Sequence, residues 1–208
     1  MTATPPRILV IYAHPTPHRS RVNRRLADAA RDVPHVTVHD LYEAYPDFHI
    51  DVAREQALLA ESDLIVFLHP IQWYSMPALL KEWLDVVVEF DWACGQQGAL
   101  RGKAYWLAVT TGSPVEAYQH DGIHGRVFAD FLPQFEQTAS LCGMTWLPPY
   151  ILHGAHHVAE EVLAEHVATF RQRLTTYPHW PNRPALPAMA LTHSTHTLHT
   201  DRPTTDGT

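Results

Sequence analysis

Three stretches of the 208-residue chain concentrate side chains able to hold a ligand. The first is Ala13-His14-Pro15-Thr16-Pro17-His18-Arg19-Ser20, leading into a helix-like segment with Ser20 as its N-cap. Helix N-termini present free N–H groups and the positive end of a dipole, so a phosphate suits this place. Ser20, Val22 and Asn23 offer hydroxyl, backbone and amide donors, and His14 and Arg19 could add charge. The second is Pro70-Ile71-Gln72-Trp73-Tyr74-Ser75-Met76-Pro77, an aromatic-rich loop between prolines that could grip a flat ring. The third, Thr110-Thr111-Gly112-Ser113, adds hydroxyls and, at glycine, a close backbone approach. A phosphate site with two walls for a planar ring describes a flavin mononucleotide site.

Each stretch follows a strand-like run. Arg7–Tyr12, Leu64–Leu68 and Tyr105–Val109 are apolar and β-branched or aromatic, as fully buried strands are. Val36–Val38 reads as a further strand, and Trp146–Leu152 as a fifth, interrupted by Pro148-Pro149. Between them lie helical segments: Ser20 to Arg31, Asp51 to Glu61, and one opened by Pro77, where Leu80, Trp83, Leu84, Val87 and Val88 form a stripe. Phe128, Phe131, Leu132 and Phe135 form another stripe, which Pro133 should kink, and Glu160–Leu174 closes the series. Such βα alternation predicts an α/β fold: a doubly wound, five-stranded parallel sheet in the flavodoxin-like order 2-1-3-4-5. Ligands of such sheets bind beyond the carboxyl ends of the strands, where the three stretches fall. Residues 1–175 read as one domain, and 176–208 as a Pro/Thr/His-rich tail whose His193, His196 and His199 are expected to be solvated.

Composition narrows the classes. A net charge of −7 disfavours nucleic acid as partner, and the 16 histidines would carry it to +9 if all were protonated. There is no GxGxxG or GxxxxGK[ST] run, no apolar stretch long enough to span a bilayer, and no signal-peptide h-region at the start. Cys94 and Cys142 are too few for a disulfide framework and too far apart for a CxxC pair, so two reduced thiols are expected. Cys142 should be buried and inert, and Cys94, expected in a loop before Gly95, could be a reactive thiol. No metal site is expected.

The chain resembles the flavodoxin-like NAD(P)H:quinone oxidoreductases, the DT-diaphorase family. Tyr12-Ala13-His14-Pro15, Ser20 and Asn23 match that family's flavin-phosphate loop, and His69 through Lys81 its isoalloxazine loop. Leu41-Tyr42, Tyr45 through Asp51 and Gly143 through Pro149 look like the branch serving as ancillary subunits of glutathione-regulated potassium-efflux antiporters. The resemblance spans about Arg7 to Leu174 and leaves the tail aside.

The resemblance implies that His14, Ser20, Arg21, Val22 and Asn23 hold the flavin phosphate. It puts Ile71, Gln72, Trp73, Tyr74, Thr110, Thr111, Gly112 and Ser113 against the ring. Ser113-Pro114 stands where the family usually has glycines, which bears on that loop's flexibility. Tyr118 and His124 match the Tyr/His pair beside the ring and would donate to charge arising as hydride arrives. Phe90 and Trp92 could stack on the substrate, pack a dimer, or both. FMN is the expected cofactor, with FAD second, and NAD(P)H and a quinone the expected substrates. A homodimer is expected, cytoplasmic or held at the inner face of the membrane through an antiporter. Activation of such an antiporter is the alternative function. An electron-transfer flavodoxin fits less well, because it would carry a Ser/Thr-Gly-rich phosphate loop and lack the Tyr/His pair.

Overall fold

The computed structural model describes residues 5–180. His193, His196 and His199, with the rest of the tail beyond Trp180, lie outside the described residues. The chain runs β1 (Ile8–Tyr12), α1 (Val22–Arg31), β2 (Val36–Asp40), α2 (Leu41–Ala44), α3 (Val52–Ala60), β3 (Leu64–Pro70), α4 (Ala78–Val87) and α5 (Phe90–Ala93). It continues with β4 (Ala104–Thr110), α6 (Pro133–Leu141), β5 (Thr145–Trp146), β6 (Tyr150–Leu152) and α7 (Glu160–Thr176).

All strand pairs are parallel, in the order β2-β1-β3-β4-β5, with β6 also on β4. This is the doubly wound order expected. The fifth position is shared by two short strands: β5 pairs with Ala104 and Tyr105, and β6 with Ala108 to Thr110. Pro148 and Pro149 carry no N–H to continue the ladder, so the strand breaks there. The Trp106 indole donates to the freed Pro148 carbonyl at 3.1 Å.

Strand alternation splits the core in two. Leu9, Ile11, Phe67, Tyr105 and Leu107 face the layer of α2, α3, α4 and α6. Ile8, Val10, Val66 and Trp106 face α1 and α7, where Leu26, Leu163 and Phe170 are buried. Asp51 caps α3 by accepting from the Arg54 N–H at 3.1 Å. On the inner face of α3, the fully buried Glu55 carboxylate accepts from Tyr45 Oη and from Trp83 Nε1 at 2.8 Å, and His39 Nε2 lies 2.9 Å from it.

Three local expectations change. Pro133 starts α6 instead of kinking it; Phe128–Phe131 forms a separate 3-10 turn before it. A proline at a helix's first position has no N–H to lose. The helix after the first loop begins at Val22 with Arg21 at the N-cap, and Ser20 caps from one residue earlier, its hydroxyl accepting from the Arg24 N–H at 3.0 Å. The boundary drawn at residue 175 falls inside α7, and Tyr177 and Trp180 pack on the α1–α7 face beyond it. Arg173 lies over the rings of Tyr150 and Trp180, 5.0 and 5.7 Å from their centroids.

Candidate functional site

The loops after β1, β3 and β4 all leave the carboxyl edge of the sheet, as does the loop after β6. The loop after β1 crosses a 3-10 turn at Pro17–Arg19 and enters α1. The first-turn N–H groups of Val22 and Asn23 have no intrahelical partner. His14 Nδ1 accepts from the Thr16 N–H at 3.2 Å, and burial lowers its pKa. Burial thus favours the neutral imidazole, which has one N–H to give. Two other side chains expected at the phosphate are engaged elsewhere. The Arg21 guanidinium donates to Val158 O at 2.8 Å and pairs with Glu160. The Asn23 amide is 2% exposed and donates to Thr110 Oγ1 at 3.1 Å, tying α1 to the end of β4. The Asn23 Oδ1 is buried with no protein partner.

The loop after β3 is a tight hairpin. Gln72 N donates to Ser75 O at 2.9 Å and Ser75 N to Gln72 O at 3.0 Å. Its central residues Trp73 and Tyr74 have φ of 47° and 65°. Two consecutive left-handed residues make a type I′ turn, normally Asn-Gly. Bulky residues there cost about 1–3 kcal/mol each, a cost kept only where surroundings or function hold it. Gln134 on α6 helps hold it, accepting from Ser75 Oγ at 2.8 Å and donating to Tyr74 O at 3.2 Å. The turn leaves Trp73 94% exposed at its tip and stacks Tyr74 on Phe131, centroids 5.0 Å apart. Ile71 N donates to Thr110 O at 2.7 Å, joining this loop to the next.

The loop after β4 is stitched to the loop after β6. Thr111 N donates to Leu152 O at 3.0 Å, Thr111 Oγ1 donates to Ser113 O at 2.7 Å and lies 3.0 Å from His153 Nδ1, and Gly154 N donates to Ser113 O at 2.9 Å. A Cβ on Gly112 would sit 3.1 Å from His156 Nε2.

The chain then doubles back. His124 N donates to Ala117 O at 3.2 Å, and Gly122 permits the reversal: a Cβ there would lie 2.5 Å from the carbonyl oxygens of both Glu116 and Ala117. The reversal brings the Tyr118 and His124 rings together, centroids 4.4 Å apart and tilted by 32°. Burial raises the Tyr118 pKa, only partly offset by the Thr111 and Ser113 side chains, so it keeps its proton at neutral pH. His124 Nδ1 lies 3.3 Å from the Tyr74 hydroxyl, and its Nε2 is buried with no partner. Tyr74, Tyr118 and His124 thus form one cluster, backed by Phe128, Phe131 and His153.

Phe90 and Trp92 are not brought to this cluster within the chain. Helix α4 starts at the carboxyl edge after β3 and runs back about 15 Å, delivering α5 to the opposite edge, where β4 begins. There Trp92 O accepts from Ala99 N at 2.8 Å, and Phe90 is 65% exposed.

Spacing alone did not point to Gln134, His153 or His156. The rule that clefts form beyond strand ends could have found the last two, because both follow the strand end at Leu152. The donor set fits a flavin mononucleotide: unpaired helix N–H groups and a neutral His14 at one end, the rigid turn and the Thr111–Ser113 loop along the ring, and an unspent His124 Nε2 beside them.

Comparison with known proteins places the fold in a family. The glutathione-regulated potassium-efflux system ancillary protein KefG of Yersinia enterocolitica is 46% identical over 175 residues, covering 84% of this chain and 95% of that one. The general stress protein 14 of Treponema denticola, solved in complex with FMN, is 40% identical, with TM-score 0.73 over 81% of this chain and 96% of that one. An NADPH-quinone reductase from P. pentosaceus is 30% identical, with TM-score 0.74 over 82% and 98%. Residues 6–174 match the family model described as a flavodoxin-like fold, and the chain belongs to that family.

Proposed function

We propose that the protein is an FMN-dependent NAD(P)H:quinone oxidoreductase working by two successive hydride transfers. The observation that carries this reading is the contact between Tyr74 Oη and His124 Nδ1 beside an unpaired Nε2. With the Tyr74 O–H donating to Nδ1, the imidazole keeps its proton on Nε2, leaving one preorganised donor unspent. Bound FMN would supply the hydride-accepting and hydride-donating centre, with NAD(P)H and quinone occupying its face in turn. Val22 and Asn23 N–H groups, with the His14 imidazole, would hold the phosphate. Ile71 to Tyr74 and Thr110 to Ser113 would fix the ring edge through backbone groups. Tyr118 and His124 would donate to negative charge that develops only as hydride arrives, which favours the transition state over the ground state. The 40% identical relative with FMN and the 30% identical quinone reductase support this reading.

A planar ring held at these loops needs a roof. Phe90 and Trp92, at the opposite edge, can reach a site only in another copy, so we take the working form to be a homodimer in which each subunit covers its partner's ring. No helix of the described residues is long and apolar enough to cross a membrane. The place proposed for the protein is the cytoplasm. The test is an absorbance spectrum of the purified protein, with the released flavin identified by chromatography, followed by NAD(P)H-dependent quinone turnover. A protein that stays colourless after incubation with FMN refutes the reading.

The 46% identity to an ancillary protein of a potassium-efflux system favours a second, compatible reading: a regulatory subunit docked on an antiporter at the inner face of the membrane. Potassium efflux that rises when the protein is added to antiporter vesicles, in a variant without quinone turnover, would establish that role separately.

A further inference from the structure

The proposed chemistry uses neither cysteine, yet 48 positions apart in sequence they meet: Cys94 Sγ and Cys142 Sγ lie 3.1 Å from each other. That is closer than an ordinary contact between two sulfur atoms, and about 1 Å of approach separates it from a disulfide bond. Both belong to well-defined caps. Cys94 terminates α5, its N–H donating to Phe90 O at 3.0 Å, and Cys142 terminates α6, its N–H donating to Thr138 O at 3.1 Å. Neither sulfur belongs to a group that could bind a metal among the described residues.

We propose that Cys94 and Cys142 form a dithiol site that a hydroperoxide converts to an intramolecular disulfide. Cys94, 8% exposed against 2% for Cys142, is the sulfur a small oxidant reaches first. The peroxide O–O bond breaks, Cys94 Sγ takes one oxygen as sulfenic acid, and the other leaves as an alcohol or water. Cys142 Sγ then attacks Cys94 Sγ, the S–O bond breaks, and water departs with the Cys142 proton. Two thiols lose two electrons and two protons, and one hydroperoxide is reduced. Burial and the neighbouring Cys94 push the Cys142 thiol up to about 12, so it gives little thiolate to react by itself and serves as the resolving partner.

The bond would close a loop holding β4, the Thr110–Ser113 loop and the Tyr118–His124 reversal. It would also fix α5, which carries Phe90 and Trp92, against the end of α6. An effect on quinone turnover in the partner subunit rests on the function proposed above; the bond itself does not.

The experiment treats the purified full chain with hydrogen peroxide, then alkylates it in denaturant and measures intact mass. The expected result is loss of two hydrogens, no alkylation, reversal by dithiothreitol, and one linked peptide pair containing Cys94 and Cys142. The oxidised form should melt roughly 5–10 °C higher, because the crosslink restricts the unfolded chain. In Cys94→Ala and Cys142→Ala proteins the remaining thiol should alkylate or hold oxygen, with no loss of two hydrogens. Oxygen added separately to each sulfur of the natural protein, disulfide-linked dimers, or two thiols still alkylatable after peroxide would each overturn the proposal. The mass readout is independent of bound flavin, so failure here and failure of the oxidoreductase reading are distinguishable.

Discussion

Tyr74→Phe isolates the link on which the catalytic reading depends. The substitution deletes one hydroxyl and keeps the ring stacked on Phe131 and the turn's backbone hydrogen bonds. The lost interaction is a 3.3 Å contact to His124 Nδ1, near the long limit for a hydrogen bond. Such bonds contribute about 0.5–1.5 kcal/mol net, so reduction of the flavin by NAD(P)H should slow about 2- to 12-fold. Removing the donor outright, in His124→Ala, should cost more: roughly tenfold to a hundredfold. Tyr118→Phe should cost less than His124→Ala, because the ring packed against His124 remains. The informative protein is the double variant. If Tyr74 works by orienting His124, then Tyr74→Phe adds nothing once His124 is gone, and the two effects are strongly non-additive. The assay is stopped-flow bleaching of the flavin band, each half-reaction followed separately, with flavin content measured for every variant. Additive losses would refute the orienting role, and unchanged bleaching in His124→Ala would remove the catalytic assignment.

Ser20→Glu places negative charge beside the unpaired first-turn N–H groups of α1 and should abolish flavin retention, read as flavin absorbance per subunit; full occupancy would sink the phosphate assignment. Glu55→Ala strands the buried Tyr45 and Trp83 donors and removes the carboxylate beside His39, which costs about 3–5 kcal/mol and should lower the melting temperature by about 10 °C; a drop of only a degree or two would mean that water replaces the carboxylate. Burial pushes the fully buried His69 down to about 4, below its unfolded value, so the unfolded chain binds the extra proton between the two. Its contribution to stability is complete above about pH 6.5 and falls by up to about 1.4 kcal/mol per pH unit towards pH 4; urea midpoints across that range should show a gentler slope in His69→Asn, and identical slopes would refute it. Sedimentation should find a dimer at micromolar concentration, with Phe90→Glu shifting it towards monomer; an active monomer would show that the cleft needs no partner.

The sheet was legible because its central strands β1, β3 and β4 are buried on both faces. Those three runs of apolar, largely β-branched or aromatic residues cannot be solvated, and the helical stripes between the strands dictate parallel crossovers. What escaped were features decided by single backbone groups. Pro133 reads equally as a kink or as a start, and the preceding 3-10 turn settles it by ending at Phe131. Ser20 has the right chemistry for an N-cap, but residue type does not fix whether its hydroxyl reaches two, three or four residues ahead. The edge strand splits at Pro148-Pro149 because the ladder to β4 loses its donors there.

The site was legible to the level of loops and not of atoms. Position relative to strand ends follows from topology, so the stretches after β1, β3 and β4 had to face one cleft. Side-chain direction does not follow from topology. Arg21 and Asn23 stand beside the expected phosphate, yet their side chains bind α7 and β4 and position the loop instead. Trp73-Tyr74 offers no sign of a type I′ turn, since the usual sign is Asn-Gly; the turn is imposed by its own cross-hairpin hydrogen bonds and by Gln134 on α6. That imposed strain brings the Tyr74 hydroxyl to His124 across 50 positions of sequence, a relation that spacing cannot express. Phe90 and Trp92 show the converse. Their types suit a substrate wall, but the direction of α4 carries them to the far edge of the sheet, so their use at a cleft requires a second chain.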